Sequence, residues 1–128
     1  MFKRHTPPTI RRPFANYAHA VEVPAGMRLL VLSGQLGIGL DETVPVGAEA
    51  QAALCFANIA AVLDAAGGTS ANLVRLNAYV THRDHLPGYM RARDAFVSDP
   101  APASTLMIVS GFAREAFVVE VEALAALP

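Results

Sequence analysis

Glu120 and Glu122, two carboxylates in the run Val118-Val119-Glu120-Val121-Glu122, are the first candidates for chemistry in this chain. In an extended strand that spacing sets both on one side of a sheet. Inside a closed cleft, burial and the like-charged neighbour would raise a carboxyl pKa and fit it for general acid/base work. On a solvent-facing or edge strand the same spacing is ordinary polar alternation. Ser33 beside Gly34 offers a hydroxyl and a bare backbone amide to a ligand oxygen, although turn chemistry explains the pair equally well. Among four histidines, only His82 and His85 are close in sequence. With no nearby cysteine and no H-E-x-x-H pattern they read as structural or solvent-facing, so no metal site is expected. Cys55 is the only cysteine, which excludes an internal disulfide, and inside an Ala-rich helix it reads as a small core residue. The chain has no G-x-S-x-G elbow, no Walker loop and no dinucleotide fingerprint.

The elements that must position these residues follow from periodicity and punctuation. Residues 1–15 form an extended N-terminal segment, Pro- and Arg-rich from Thr6 to Pro13. Ala18 to Val23 and Arg28 to Ser33 read as strands joined through Pro24-Ala25-Gly26 into a hairpin, the second strand nearly all apolar. From Gly47 to Ala66 apolar residues recur at helical spacing, and Gly67-Gly68 stops the helix. Leu73 to Thr81 reads as a strand with Leu73, Arg75, Asn77 and Tyr79 on one face and Val74, Leu76, Ala78 and Val80 on the other. A second helix begins near Asp84 as N-cap, tolerates Pro87 in its first turn and ends near Val97. Ser104 to Val109 and Phe117 to Leu124 close the chain as two strands, the last hairpin. The order ββαβαββ predicts an α+β fold, one mixed sheet covered on one face by both helices.

Composition bounds the rest. A chain of 128 residues is one domain, residues 1–128, and its hydrophobic content of 53% with only 16% charged residues falls well below the charge of ordinary soluble domains, about 25%. A globule this small cannot hide that apolar excess, so self-association is expected, with ligand sites between subunits. The net charge of -1, spread without clusters, argues against nucleic acid as a partner. No segment reads as membrane-spanning and no apolar leader follows Met1, which places the chain in the cytoplasm.

Taken together, several segments resemble the Rid/YjgF family of reactive enamine/imine deaminases, also labelled endoribonuclease L-PSP. They are Tyr17 ahead of the first strands, Val31-Leu32-Ser33-Gly34-Gln35, Leu63-Asp64-Ala65-Ala66-Gly67, Leu76-Asn77-Ala78-Tyr79-Val80, Pro102-Ala103 and Val119-Glu120-Val121-Glu122-Ala123-Leu124-Ala125. The resemblance implies a chorismate-mutase-like domain, a homotrimer whose sheets form an inner barrel, and a small-molecule ligand in each intersubunit cleft. It also implies hydrolysis of 2-aminoacrylate-type enamines and imines to 2-oxo acids and ammonia, without metal or organic cofactor. In such proteins an arginine after the Pro-Ala pair clamps the substrate carboxylate and a glutamate on the last strand orients water.

Carried over by position, Glu120 is the catalytic candidate, and Tyr17, Ser33 and Gly34 line the cleft. Ser104-Thr105 follows Pro102-Ala103 where the arginine is expected, and Met90 stands where an asparagine is common. Hydroxyls cannot reproduce a bidentate guanidinium. The resemblance therefore predicts little activity on small carboxylated imines, a ligand that is less anionic or held differently, and binding through Ser104 and Thr105. Arg93, Arg114 and Arg12 are substitute cations, with Arg75 and Asn77 on the wet strand face as further candidates. Three functions compete: an arginine-lacking hydrolase or isomerase, a non-catalytic trimer binding metabolites or a protein partner, and a ribonuclease, the last weakened by the missing basic patch.

Overall fold

A computed structural model describes all 128 residues. Six strands and two helices follow one another as β1 (Lys3–His5), β2 (Ala20–Glu22), β3 (Arg28–Leu36), α1 (Ala48–Ala65), β4 (Leu73–Val80), α2 (Leu86–Phe96), β5 (Ala103–Ile108) and β6 (Val119–Leu127). The ββαβαββ order is present with one short strand added at the N-terminus. Four strands form the main sheet in the order β3-β6-β4-β5, antiparallel except for the parallel pair β4 and β5.

Two predicted hairpins do not form. β2 pairs with β1 instead of β3, because the N-terminal segment folds back and sets Lys3, Arg4 and His5 opposite Glu22, Val21 and Ala20. Its partner strand was hidden in what composition marks as an arm. β5 and β6 are likewise separated by β4, which pairs with both. Local sequence favours neighbours in the chain, but β6 instead lies between β3 and β4, where its Val119, Val121, Ala123 and Ala125 enter the core.

Helix α1 is 18 residues with a mean hydropathy of 1.2, long and apolar enough to cross a bilayer, yet its Ala52, Cys55, Phe56, Ile59 and Leu63 are buried against the sheet and α2. Its end is set by Gly67 at φ 83°, where the Gly67 N–H donates to the Asp64 carbonyl and the Gly68 N–H to that of Leu63. This is the closing pattern a left-handed glycine permits. The second helix differs from expectation at its start. A short 3-10 turn, Arg83–His85, precedes it, capped by the His82 ring, whose Nδ1 accepts from the Asp84 N–H. Pro87 does sit in the first turn of α2.

The two helices meet through Phe56, stacked on Phe96 at 5.0 Å and tilted against Tyr89 at 5.9 Å between ring centroids. Below them Leu76, Ala78 and Val80 of β4 and Val119, Val121, Ala123 and Ala125 of β6 complete the core. Leu73 joins this core instead of the wet face, because the ladder to β6 shifts register between Leu73 and Arg75. A one-residue slip turns a side chain to the opposite face.

Both helices cover one side of the main sheet. The other side is bare: Leu29 is 68% exposed, Val31 69% and Met107 54%.

Candidate functional site on the bare face of the sheet

The site is built outward from β6, which lies between β3 and β4 and so is not an edge strand. Val119, Val121, Ala123 and Ala125 point into the core, so alternation sends Glu120 and Glu122 to the bare face, both half-buried. There Glu122 is opposite Asn77, and Glu120 is opposite Tyr79 on one flank and Leu36 on the other.

The two carboxylates have different surroundings. Oε1 of Glu122 accepts from the Tyr79 hydroxyl at 2.7 Å and from the Asn77 side-chain amide at 3.2 Å. That hydrogen bond raises the Tyr79 pKa above its usual value, because the phenol donates to a carboxylate and ionising it would set two negative charges together. Glu120, by contrast, forms no ion pair, and the two hydrogen bonds to a carboxylate on this face both go to Glu122. Its side chain instead lies across Gly34, where a Cβ would collide with the carboxylate itself. Ser33 and Gly34 occupy the register shift between Leu32 and Gln35, a bulge that leaves them outside the ladder to β6. Glycine is thus required here by close approach, not by backbone angle.

A buried side chain absent from the sequence-based candidates fixes this corner. Gln51, 1% exposed, donates from Nε2 to the carbonyls of Pro45 (3.0 Å) and Ala116 (2.8 Å), while its Oε1 accepts from the Val118 N–H at 2.9 Å. It also packs directly against Gly37 at the end of β3. Gln51 therefore ties the start of α1 to the chain entering β6, two residues before Glu120. The signal in the sequence is a polar residue four and eight positions before Cys55 and Ile59, on the helix face that is otherwise apolar and buried.

The remaining candidates scatter. Thr105 is on the bare face beside Asn77, whereas Ser104 is in register with buried Leu76 and turns to the other side of β5. Tyr17 lies beyond β5, beside the bridge from Ala18 to Ala103, where its hydroxyl accepts from the Phe14 N–H. There it lines a groove of about 310 Å³ with Arg12, Asn16 and Asp99. Among the expected substitute cations, Arg93 is 4% exposed in the helix layer, bonded to Asp94 and to the Met90 sulfur. Arg114 lies over the Phe117 ring. Cys55 is a core residue: its thiol donates to the Gln35 carbonyl at 3.1 Å, and burial pushes its pKa up from 9.0 to about 12.

A profile of the family described as Endoribonuclease L-PSP matches residues 9–127. The chain belongs to this family. The fold agrees with Rid/YjgF relatives: a Rid-family protein of unknown function from Yersinia pestis is 29% identical and superposes with a TM-score of 0.85 over 98% of both chains. RidA from an Antarctic Psychrobacter is 29% identical with a TM-score of 0.73, covering 90% of this chain and 91% of that one. The 2-iminobutanoate/2-iminopropanoate deaminase of Dermatophagoides farinae is 29% identical over 121 residues, 91% of this chain and 90% of that protein. The shared domain is the α+β, chorismate-mutase-like fold of the Rid/YjgF family.

Proposed function

We propose that this Rid/YjgF member hydrolyses a small imine or enamine in clefts between copies of the chain arranged as a homotrimer. The observation that carries this reading is Glu120, a half-buried carboxylate without an ion-pair partner, laid over a bare glycine on a face rimmed by exposed apolar residues. Such a group is free to hold a water. In the reaction, water oxygen bonds to the imine carbon while Glu120 accepts one water proton. That proton passes to nitrogen to give a carbinolamine, and the hydroxyl proton follows it through the same carboxylate as the C–N bond breaks, so ammonia leaves a carbonyl behind. An enamine enters the same path after protonation at carbon. The family relative named as an imine deaminase supports this reaction class.

Copies packed on the bare face would cover Leu29, Val31 and Met107 and wall in Glu120, which one chain leaves open. Tyr17, two strands away from β6, would reach a neighbour's site in the same arrangement. Ser104, turned away from Glu120 within the chain, supports the competing reading of a trimer that binds metabolites without catalysis.

Ammonia release from imines generated in place, including 2-iminobutanoate and 2-iminopropanoate, separates the two. The expected result is turnover by the wild type of at least one imine or enamine of the panel, slow on the two small carboxylated ones, and a loss of roughly 10²- to 10⁴-fold in Glu120→Gln, the usual contribution of a positioned acid/base group. No turnover across the panel, with ligands still shifting the melting temperature, would establish the binding reading instead.

A further inference from the structure

We infer that Arg75 holds the carboxylate of a small anionic ligand on the bare face of the sheet. The inference rests on the proposed function only in placing the ligand's reacting end near Glu120. Arg75 sits half-buried on β4, opposite Leu124 of β6 and Ala103 of β5. Its guanidinium leans along the strand toward the next pair of residues: Nε donates to Asn77 Oδ1 at 2.7 Å and Nη2 to Thr105 Oγ1 at 2.5 Å. Both acceptors are neutral. Arg75 takes part in no ion pair, although Glu122 is on the same face.

The reason is local. Glu122 Oε1 already accepts from Asn77 and Tyr79, so its nearest donors are neutral, and Asn77 stands between it and the arginine, bonded to both. A guanidinium has five N–H donors, and two are engaged here. Three remain, on a group whose plane Asn77 and Thr105 hold in place. A planar cation fixed in this way, with no carboxylate bonded to it directly, matches a carboxylate in both geometry and sign. Leu124 beside it on β6, with Val31 next to Leu124 on β3, makes this flank apolar, which would strengthen that attraction once water is excluded.

Position also favours this arginine. Its guanidinium reaches the level of Asn77 and Thr105, which are one step along β4 and β5 from Tyr79, the residue opposite Glu120. Strand spacing puts such steps roughly 7 Å apart. A ligand of a few carbons with a carboxylate at one end spans that interval.

The test uses 2-oxopropanoate, the carbonyl product of 2-iminopropanoate hydrolysis, as probe, with its neutral amide and inorganic phosphate for comparison. Binding is followed by calorimetry and by the Arg Nε–Hε signals in proton–nitrogen spectra, at constant ionic strength. The expected result is that 2-oxopropanoate moves the Arg75 signal and binds roughly 10- to 100-fold more weakly to Arg75→Gln, the size of a lost charge-assisted contact. Arg75→Lys should recover part of the affinity. If substrates are turned over, Arg75→Gln should raise KM far more than it lowers kcat.

Equal binding by wild type and Arg75→Gln would overturn the inference and leave Arg75 as a brace between β4 and β5. Equal binding of the neutral amide, or tighter binding of phosphate than of the carboxylate, would overturn it as well. Should Arg75→Gln not fold, the wild-type Arg75 signal decides: no movement on adding the carboxylate sinks the idea. If anion binding depends on Arg75 while no imine is turned over, the proposed hydrolysis fails and this inference stands.

Discussion

Three residues of similar polarity were given different work by their surroundings. Glu122 is satisfied by Tyr79 and Asn77, Glu120 lies free against Gly34, and Gln51 is sealed inside with its amide making three hydrogen bonds. Cys55 shows the same control by environment. Its thiol stays protonated in the folded protein up to about pH 12 but ionises near 9 once unfolded. Between those values the unfolded chain has lost a proton that the native one keeps, so stability present below pH 9 is lost as pH rises through that window. Removing the thiol should flatten the decline. Urea melts between pH 8.5 and 10.5 are expected to fall less steeply for Cys55→Ala, by at most about 1.4 kcal/mol per pH unit. Identical slopes would show that the thiol is not shielded.

Among the elements, the connection from α1 to β6 governs where Glu120 stands. Gln51 bridges the loop before α1 and both sides of the turn into β6, so its amide does structural work that packing alone cannot do. In Gln51→Leu the volume is nearly kept, but two carbonyls and one N–H lose their partner in a buried place. The expected loss is about 2 to 4 kcal/mol of stability, read from denaturant unfolding. A change within a few tenths of a kcal/mol would mean that water replaces the amide. Periodicity located α1, β4, α2 and β6 in the sequence because each carries one apolar face. It did not find β1, whose three residues carry no pattern, nor the short turn capped by His82 that displaced the start of α2 past Asp84.

For the whole molecule the bare face of the sheet is the central physical fact. Leu29, Val31 and Met107 are each more than half exposed on a sheet whose other side is covered by both helices. In a homo-oligomer they would be covered, and a charge placed among them would have to be desolvated at each interface. Val31→Asp is therefore expected to keep the helical and sheet signature of the folded chain by circular dichroism while weakening assembly by at least about tenfold in sedimentation velocity. An unchanged sedimentation coefficient would mean that copies do not meet on this face.

By itself the sequence determined the α+β class, the end of α1 at Gly67, the common side of Glu120 and Glu122, and an apolar surplus. These rest on spacing within short segments and on composition, both local properties. Tertiary structure alone decided that β2 pairs with β1, that β4 separates β5 from β6, that Ser104 faces away from Thr105 and Glu120, and that Arg75 is held in a fork by Asn77 and Thr105. Each of these depends on which distant strands pair and in what register. A shift of one residue in that register exchanges the two faces of a strand, and no local pattern fixes it.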